Sequence, residues 1–413
     1  AVRFGTFAPR WQPHAALVCL RFCGCAAAVS DPTSVYGVIR GGGLTGLTLG
    51  YHLTQHNAPG SADKHQSLIL EPRSNYSRDK TWCYWQHEAT PFDEAISHRW
   101  HRWTVSCNGH THVGESATTP YVRVDSARFY EIGQAAIAAS DRVTLRLGDS
   151  ATQVLPNKHG VSVQSERETF QACRVFDTRP ASIPEGILLQ HFVGWEIETD
   201  TDVFDPSTVT LMDFVPGAQD IHFFYVLPMS PRHALIETTH FSASVLDETA
   251  YAAEITDYLR ERFGLSHWQI KHRETGVIPM PRHAPDLSRR PHSRIVPLGL
   301  HSDTVKPSTG YCYPHAQVQA RRQVAALFTE PKATAIAARS RLNRWFDAVF
   351  IGFLEQHPPR AGEIFLRLFK SVPSDALTRF LGDNAKPADY LRVMLALPKG
   401  TFILQAMRHV WRP

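Results

Sequence analysis

The sequence lacks the features that mark several large classes of protein. It has no run of about 18 apolar residues, so no membrane-spanning helix is predicted. Lys and Arg exceed Asp and Glu only by 43 to 39, and the basic residues are scattered, which excludes a typical nucleic-acid-binding surface. No solenoid or propeller repeat occurs. What remains is a globular chain of 413 residues, 43% hydrophobic and 20% charged, long enough for two or three domain-sized units.

The seven cysteines form no CxxC pair and show no disulfide-framework spacing, which favours free thiols in a reducing compartment. Four of the 22 histidines stand close to Cys107, namely His98, His101, His110 and His112. Their spacings match no zinc-binding pattern, so we predict no metal site.

The chain mixes β and helical patterns without a flexible linker, and we divide it into five segments. Residues 1–33 form an N-terminal extension, either a targeting leader or a disordered segment. Residues 34–180 are predicted to form the first part of a nucleotide-binding fold, with inserted segments. They begin with a strand, a helix over Leu44–Gln55 and a second strand that ends at Glu71. The remaining segments are a β-rich substrate or catalytic region over 181–290, a return to the nucleotide fold over 291–330, and a helical C-terminal region over 331–413.

A glycine motif joins the first predicted strand to the first helix. Gly41, Gly43 and Gly46 allow a tight turn and a close approach of the backbone to a pyrophosphate at the N-terminus of the helix. Glu71, 25 residues after Gly46, is placed to accept hydrogen bonds from an adenosine ribose. These features do not distinguish NAD from FAD. The later strand Arg174–Asp177, which follows a β-rich insertion, is typical of a two-part flavoprotein and favours FAD.

Seven short runs carry further information: Arg78–Trp85, Phe192–Glu196, Met212–Phe214, Tyr225–Met229, Leu235–Thr239, Gly276–Met280 and Val305–Tyr311. In this order they resemble the flavin-dependent lycopene cyclases of the bacterial β-cyclase type. The resemblance extends from Tyr36 to at least Tyr311. It implies an α/β fold of the Rossmann-type FAD-binding flavoprotein class, with an interleaved β-rich substrate-binding region and a helical C-terminal part.

The resemblance also implies an activity, the cyclisation of the acyclic ψ end groups of lycopene to β-ionone rings, which gives β-carotene by way of γ-carotene. This reaction is non-redox, although it requires reduced FAD, with NAD(P)H as the expected reductant. The catalytic acid of the family lies in a Leu-x-Glu-x-Thr motif, which assigns that role to Glu237. The implied cofactor-binding residues are Gly41, Gly43, Gly46, Glu71, Gly299, Pro307 and Gly310.

The chemistry requires an acid that stays protonated and surroundings that stabilise a carbocation without reacting with it. Glu237 stands among apolar residues on a predicted strand, and burial in such surroundings raises the pKa of a carboxyl group. Aromatic faces stabilise cations, and the candidates are Trp82, Tyr84, Trp85 and Trp195. Two further carboxylates, Glu196 and Asp213, are candidates to relay protons, orient the flavin or pair with buried donors.

Three departures from the family pattern concern the cofactor site. Leu300–Asp303 replaces small residues, Val215 replaces an arginine, and Thr178–Pro180 stands where a glycine is common. Two alternatives therefore stay open. One is an FAD-dependent monooxygenase or prenyl reductase that acts on a lipophilic isoprenoid, and the other is a noncatalytic carotenoid-binding member of the family.

The implied substrate suggests a location, because a C40 hydrocarbon is insoluble in water and must be drawn from a bilayer. We therefore expect peripheral association with the cytoplasmic face of a membrane. The apolar stretch Arg344–Leu368, interspersed with Arg and Glu, is either a membrane-docking segment or part of the core. Nucleic acid is not expected as a partner, and the sequence leaves the oligomeric state open.

Overall fold

The computed structural model describes residues 33–56, 66–180, 183–283, 292–329 and 336–410. The prediction for the N-terminal extension therefore lies outside the described residues, apart from Thr33, which begins the first strand. Three sheets form the framework of the described part, and helices cover them.

The first sheet contains the strands β1 (Thr33–Arg40), β2 (Ser67–Glu71), β8 (Val143–Leu147), β9 (Ala151–Pro156), β10 (Val161–Ser165), β11 (Thr169–Asp177) and β17 (Ile295–Pro297). Its order is β8-β2-β1-β11-β10-β9, and β17 pairs with β11. The strands β8, β2, β1, β11 and β17 run parallel, whereas β10 and β9 are antiparallel. The parallel strands are short apolar runs because both faces of the sheet are covered.

One face of this sheet is covered by α1 (Leu44–Gln55), α2 (Ser126–Ala138) and α4 (Tyr313–Thr329). The helix predicted over Leu44–Gln55 and the strand ending at Glu71 are confirmed with the predicted ends. The loop between β1 and α1 therefore sits at the carboxyl end of a central parallel strand, which is where ligands bind in open α/β sheets.

The second sheet contains β5 (Arg102–Cys107), β6 (His110–Glu115), β12 (Leu189–Glu198), β13 (Thr208–Phe214), β14 (Ile221–Ser230), β15 (His233–Ser242) and β16 (Gln269–Pro279). Its order is β16-β12-β15-β14-β13-β5-β6, antiparallel except for β13 and β5. A third, smaller sheet has the order β3-β7-β4 and is made of β3 (Thr81–Trp85), β7 (Tyr121–Asp125) and β4 (Ile96–Trp100).

The central strands β14 and β15 of the second sheet are buried on both faces. On one face Ile236 packs with Ile255 and Leu259 of α3 (Glu248–Phe263), and on the other Leu235 and Phe241 join the core of the helical C-terminal region. That region consists of α5 (Arg341–Gln356), α6 (Ala361–Ser371), α7 (Ser374–Leu381), α8 (Pro387–Ala396) and α9 (Lys399–Val410). Because successive side chains of a strand point to opposite faces, β15 separates two different environments.

The stretch Arg344–Leu368 falls on α5 and α6, and most of its large apolar side chains are buried in the core. Of the two alternatives for this stretch, the burial of these side chains supports core packing. Among the described residues, no helix has the length and hydropathy needed to cross a bilayer.

Candidate active site

Glu237 lies in the middle of β15, on the face that points to the helical C-terminal region. Its cross-strand neighbours are Gly194 on β12 and Tyr225 on β14. The residue is only 8% exposed, and its Oε1 accepts a hydrogen bond of 2.7 Å from Thr239 Oγ1. Burial raises the pKa of Glu237 to about 8, with a further contribution from the charge of Glu274, while the bond from Thr239 acts in the opposite direction. The carboxyl group is therefore mainly protonated at neutral pH.

Glu274, which the sequence analysis missed, approaches Glu237 from the other side of Gly194. Gly194 is the cross-strand neighbour of Glu274 on β16 as well, so the three residues form one row across β15, β12 and β16. A methyl group on Gly194 would lie 3.1 Å from Glu274 Cγ and 3.4 Å from its Oε1. The Glu274 side chain therefore extends over the glycine towards Glu237. Burial, as the largest cause, also raises the pKa of Glu274.

Four aromatic side chains gather on the same side of the second sheet. The Tyr225 hydroxyl, on the strand next to Glu237, donates to the Tyr121 hydroxyl at 2.9 Å. The ring of Trp85 lies with its centroid 5.0 Å from that of Tyr121 and 5.9 Å from that of Tyr311. These aromatic residues, which we call the aromatic cluster, surround the approach to Glu237 with faces that stabilise positive charge.

Of the aromatic residues proposed from the sequence, the structure brings only Trp85 to this site. Trp82 and Tyr84 point to the other side of β3, where both contact Tyr313. Trp195 lies on the α3 face of the second sheet, under the guanidinium of Arg273, and belongs to a separate core. Its predicted support of Glu237 therefore has no structural basis.

The two other candidate carboxylates are engaged in ion pairs. Glu196 accepts hydrogen bonds from Arg78 and Arg123, at 2.5 Å and 3.0 Å, and contacts His233 Nε2 at 2.9 Å. Burial opposes its ionisation, but these partners outweigh burial and lower the pKa of Glu196 to about 2. Asp213 accepts a hydrogen bond from Tyr258 of α3, on the opposite face of the sheet from Glu237. Neither carboxylate is placed to donate a proton at the site.

The glycine loop between β1 and α1 has the shape of an anion cradle. Gly41 has a φ of +98°, and a methyl group on Gly46 would lie 1.9 Å from the carbonyl oxygen of Gly41, so both positions require glycine. Gly43 caps α1 without a side-chain hydrogen bond, and a methyl group there would meet no atom within 4 Å. No acidic residue occupies the first turn of α1. This open helix N-terminus fits the pyrophosphate of a dinucleotide.

Glu71 lies beside this loop, as predicted, but both of its oxygens already have partners. Its Oε2 accepts from the Gly42 backbone N–H at 2.7 Å, and its Oε1 accepts from Arg73 Nε at 2.8 Å. Burial opposes ionisation, yet the bonds from Arg73 and Gly42 keep the pKa of Glu71 below its usual value. A ribose hydroxyl at this carboxylate would have to share or replace one of these donors.

The segment from Gly299 to Gly310 connects the glycine loop to the second sheet. Gly299 has a φ of +67°, and a methyl group there would lie 2.7 Å from Thr45 Oγ1 in the first turn of α1. Gly310 has a φ of +74°, and a methyl group there would lie 2.8 Å from Oε1 of Gln190 on β12. Pro307 is part of the turn between them, which the Gly310 N–H closes by donating to the Lys306 carbonyl at 2.8 Å.

The departures from the family pattern occupy structural positions. Ser302 is buried and donates to the Gly299 carbonyl, and Thr178 donates to the carbonyls of Arg40 and Gly41. These hydroxyls support the backbone of the cradle. Val215 packs against the core beneath α3, away from the cradle.

A buried ion cluster fixes this connecting segment to the C-terminal helices. Lys306, 1% exposed, donates to Asp347 of α5 and to Asp383 in the loop after α7, at 2.8 Å each. Arg339 pairs with the same two carboxylates, and the Ser308 hydroxyl donates to Asp347. Since every charge has a partner of opposite sign, the cluster can remain ionised inside the protein.

A second polar cluster lies on the α3 face of the sheet. It is the one group of described residues, His222, His240 and Glu254, whose metal-ligand-type atoms all lie within 4.8 Å of one another. Burial lowers the pKa of His240, but hydrogen bonds to Asp220 and Glu254 outweigh it and raise this pKa to about 9. The rings of His222 and His240 are stacked with centroids 3.9 Å apart, and their Nε2 atoms lie 3.6 Å and 3.0 Å from Glu254 Oε2. We interpret the group as an ion-pair cluster around a protonated His240.

Comparison with protein families gives one match over most of the chain. The model of the family described as lycopene cyclase protein matches residues 38–407. A lycopene β-cyclase from Paracoccus sp. is 31% identical over 251 residues, which are 57% of this chain and 64% of that protein, slightly less than two thirds of its length. A lycopene β-cyclase from Pantoea ananas is 22% identical over 352 residues, 80% of this chain and 87% of that protein.

Solved structures share the fold at low sequence identity. A geranylgeranyl bacteriochlorophyll reductase-like protein from Thermoplasma acidophilum has a TM-score of 0.61 at 10% identity and covers 92% of this chain and 100% of its own. A p-nitrophenol 4-monooxygenase from Pseudomonas putida has a TM-score of 0.54 at 13% identity and covers 92% and 97%. The predicted α/β flavoprotein fold is thereby confirmed.

Proposed function

The chain belongs to the lycopene cyclase family, and on that premise we propose that it is a lycopene β-cyclase. In this proposal it closes the ψ end groups of lycopene to β-ionone rings and forms β-carotene by way of γ-carotene, with no net redox change. The observation that carries the proposal is the buried Glu237, whose pKa is raised to about 8 in front of the aromatic cluster. A neutral acid shielded from water is what protonation of an alkene requires.

The carboxyl pair supplies both proton transfers. Glu237 donates its proton to C2 of the acyclic terminus, which leaves a tertiary cation at C1. The C5=C6 bond attacks this cation, the C1–C6 bond forms, and the positive charge moves to C5. Loss of the C6 proton then gives the β-ring. Because two close carboxyl groups do not readily ionise together, the Glu237 and Glu274 pair holds one proton, and Glu274 is placed to accept the proton from C6. Its transfer to Glu237 restores the acid.

The aromatic cluster protects the cation. Rings of Trp85, Tyr121 and Tyr311 offer faces that stabilise positive charge and bring no basic group to trap it. Burial raises the pKa values of the Tyr121 and Tyr311 hydroxyls well above their usual value, so both phenols stay neutral. Neutral phenols are much weaker nucleophiles than phenolates, and the exclusion of water prevents hydration of the cation.

The cofactor in this proposal is reduced FAD, with NAD(P)H as the reductant. The glycine loop and Gly299 would hold it, and the reduced ring would supply electron density that stabilises a neighbouring positive charge. We also propose peripheral association with the cytoplasmic face of a membrane, because the carotenoid substrate partitions into lipid.

Expression in a bacterial host that accumulates lycopene tests the proposal. Wild-type protein should convert the red pigment into an orange-yellow product of unchanged mass, and Glu237→Gln should stop the conversion while flavin content stays the same. A matched control is Glu198→Gln, which alters an exposed carboxylate of the same sheet. A product of altered mass, with NAD(P)H consumed in proportion, would instead identify a monooxygenase or prenyl reductase. Carotenoid bound without conversion would identify a noncatalytic binding protein.

A further inference from the structure

A second feature, an apolar cavity, lies inside the helical C-terminal region. It has a volume of about 340 Å³ and is enclosed mainly by the five helices α5 to α9. This volume is within the usual range of small-molecule sites. Apart from Lys399 and the indole of Trp345, its polar lining residues are Ser308 and Asp347. These two residues bind each other and belong to the buried ion cluster. The cavity therefore offers hydrocarbon contacts and few free hydrogen-bonding groups.

The inner end of the cavity approaches the aromatic cluster. Phe369 of α6 lines the cavity, and its ring centroid lies 6.3 Å from that of Trp85. Ser308 belongs to the segment between Gly299 and Gly310, which reaches the second sheet. The inner end of the cavity therefore reaches the aromatic cluster through Phe369 and Trp85.

The outer end of the cavity meets an exposed apolar surface on α8 and α9. These two helices carry six of the exposed large apolar side chains of the described residues: Leu391, Met394, Leu395, Ile403, Leu404 and Met407. Leu395 is 58% exposed and Ile403 54%, yet both also line the cavity. The same side chains therefore form the rim of the cavity and the surface around it, which we call the α8–α9 surface.

The charges around the α8–α9 surface are of one sign. Over Pro387–Val410 the basic residues Arg392, Lys399 and Arg408 are exposed. The single acidic residue of this range, Asp389, is buried and bound by Arg379 and Arg392. Exposed apolar side chains flanked by cations are typical of helices that lie in the interface of an anionic bilayer.

We propose that the α8–α9 surface docks on an anionic lipid bilayer and that the cavity behind it admits a long hydrocarbon chain from the lipid towards Glu237. The identity of that hydrocarbon as the polyene substrate rests on the proposed function, whereas the docking itself does not. A protein or peptide partner fits less well, because a peptide backbone in this cavity would leave its N–H and C=O groups without hydrogen-bond partners.

Vesicle flotation tests the docking without substrate or reductant. Purified wild-type protein should float with vesicles of phosphatidylcholine containing 30% phosphatidylglycerol and bind at least tenfold more weakly to pure phosphatidylcholine. The double variant Leu404→Glu/Met407→Glu changes two exposed residues of the α8–α9 surface that do not line the cavity. It should lose binding by tenfold or more, at an unchanged melting temperature. The matched control Leu155→Glu, at an equally exposed leucine of β9, should bind like the wild type. Equal flotation of all three proteins would overturn the docking surface.

Cyclisation assays test the cavity separately. Ala406→Trp places a large side chain in the cavity lining and should slow conversion of lycopene at least tenfold while vesicle binding is retained. The double glutamate variant should be slow with lycopene in vesicles and near the wild-type rate with lycopene in detergent micelles. Unchanged rates for Ala406→Trp would overturn the entry route. If no variant cyclises lycopene but flotation follows the prediction, the proposed function fails and the docking surface stands. Loss of a dimer in the double variant, without loss of flotation, would assign the surface to contacts between copies.

Discussion

Replacement of Glu274 by Gln removes the negative charge that reaches across Gly194, and it tests whether the two carboxyl groups act together. With a pKa of about 8, Glu237 is about 90% protonated at pH 7, whereas a carboxyl group with its usual pKa of 4.5 is protonated to about 0.3%. The environment therefore increases the amount of usable acid by about 300-fold. Burial supplies the largest share, and the charge of Glu274 is the next contribution.

A like charge raises the pKa of an acid, so its removal must lower that pKa. We expect Glu274→Gln to move the alkaline limb of the plot of kcat against pH to lower pH by about one unit. After normalisation of each protein to its plateau at low pH, the variant should then be about tenfold less active than the wild type at pH 9. Because Glu274 is also the proposed acceptor of the C6 proton, the plateau itself should fall. The measurement is product formation in detergent micelles from pH 5.5 to 9.5 with saturating lycopene.

Two further variants test the same coupling, one as a second perturbation and one as a control. Gly194→Ala places a methyl group 3.1 Å from Glu274 Cγ, which pushes that side chain away from Glu237 and should move the limb in the same direction. Glu198→Gln, at the exposed end of the same strand, should leave the profile unchanged. An alkaline limb that stays in place or moves to higher pH in Glu274→Gln would refute the coupling between the two carboxyl groups.

Three further predictions concern stability and cofactor binding. Between pH 4.5 and 8 the folded protein keeps a proton on Glu237 that the unfolded chain has already released. Glu237→Gln should therefore stabilise the fold by roughly 3 kcal/mol at pH 7 and by little at pH 4.5, as measured by denaturant unfolding. Equal gains at both pH values would contradict the raised pKa of Glu237. Gly46→Ala should yield protein without flavin absorbance, because its methyl group would overlap the Gly41 carbonyl; a yellow, fully loaded variant would disprove the assignment of the cradle. The raised pKa of His240 contributes stability that is complete below pH 6.5 and is lost as pH rises through about 9. Asp220→Asn removes one partner of His240 and should flatten the decrease in melting temperature between pH 7 and 9.5. An unaltered slope would exclude this ion pair as the source of the pH dependence.

Local patterns in the sequence were sufficient for the nucleotide-binding half of the fold. The glycine loop, α1 and β2 have signals that lie within a few residues of one another, and Glu71 ends its strand as predicted. The resemblance could point to Glu237 as the candidate acid because its motif is contiguous. Glu274 could not, since its role depends on the register of three strands and on the missing side chain of Gly194.

The errors share a physical cause. Trp195 and Glu237 both lie in sequence runs that resemble the family. In the sheet, however, the two side chains point to opposite faces, which the sequence of either strand alone does not reveal. Trp82 and Trp85 are separated in the same way on β3, a strand that was not predicted. The sequence left docking and core packing open for α5 and α6, whose large apolar side chains are mostly buried, and long apolar stretches are more often core than surface.

The ion cluster around Lys306 has a consequence for shortening the protein. A chain that stops before Asp383 would leave one ammonium and one guanidinium group in the interior with half of their counterions, at a cost of about 3–5 kcal/mol for a broken buried pair. The turn that contains Lys306 would then be held by Asp347 without Asp383, although it lies far from the deleted residues in sequence. The C-terminal helices therefore help to hold the segment that packs against the glycine loop. Any shortened version of the protein for crystallisation has to keep them.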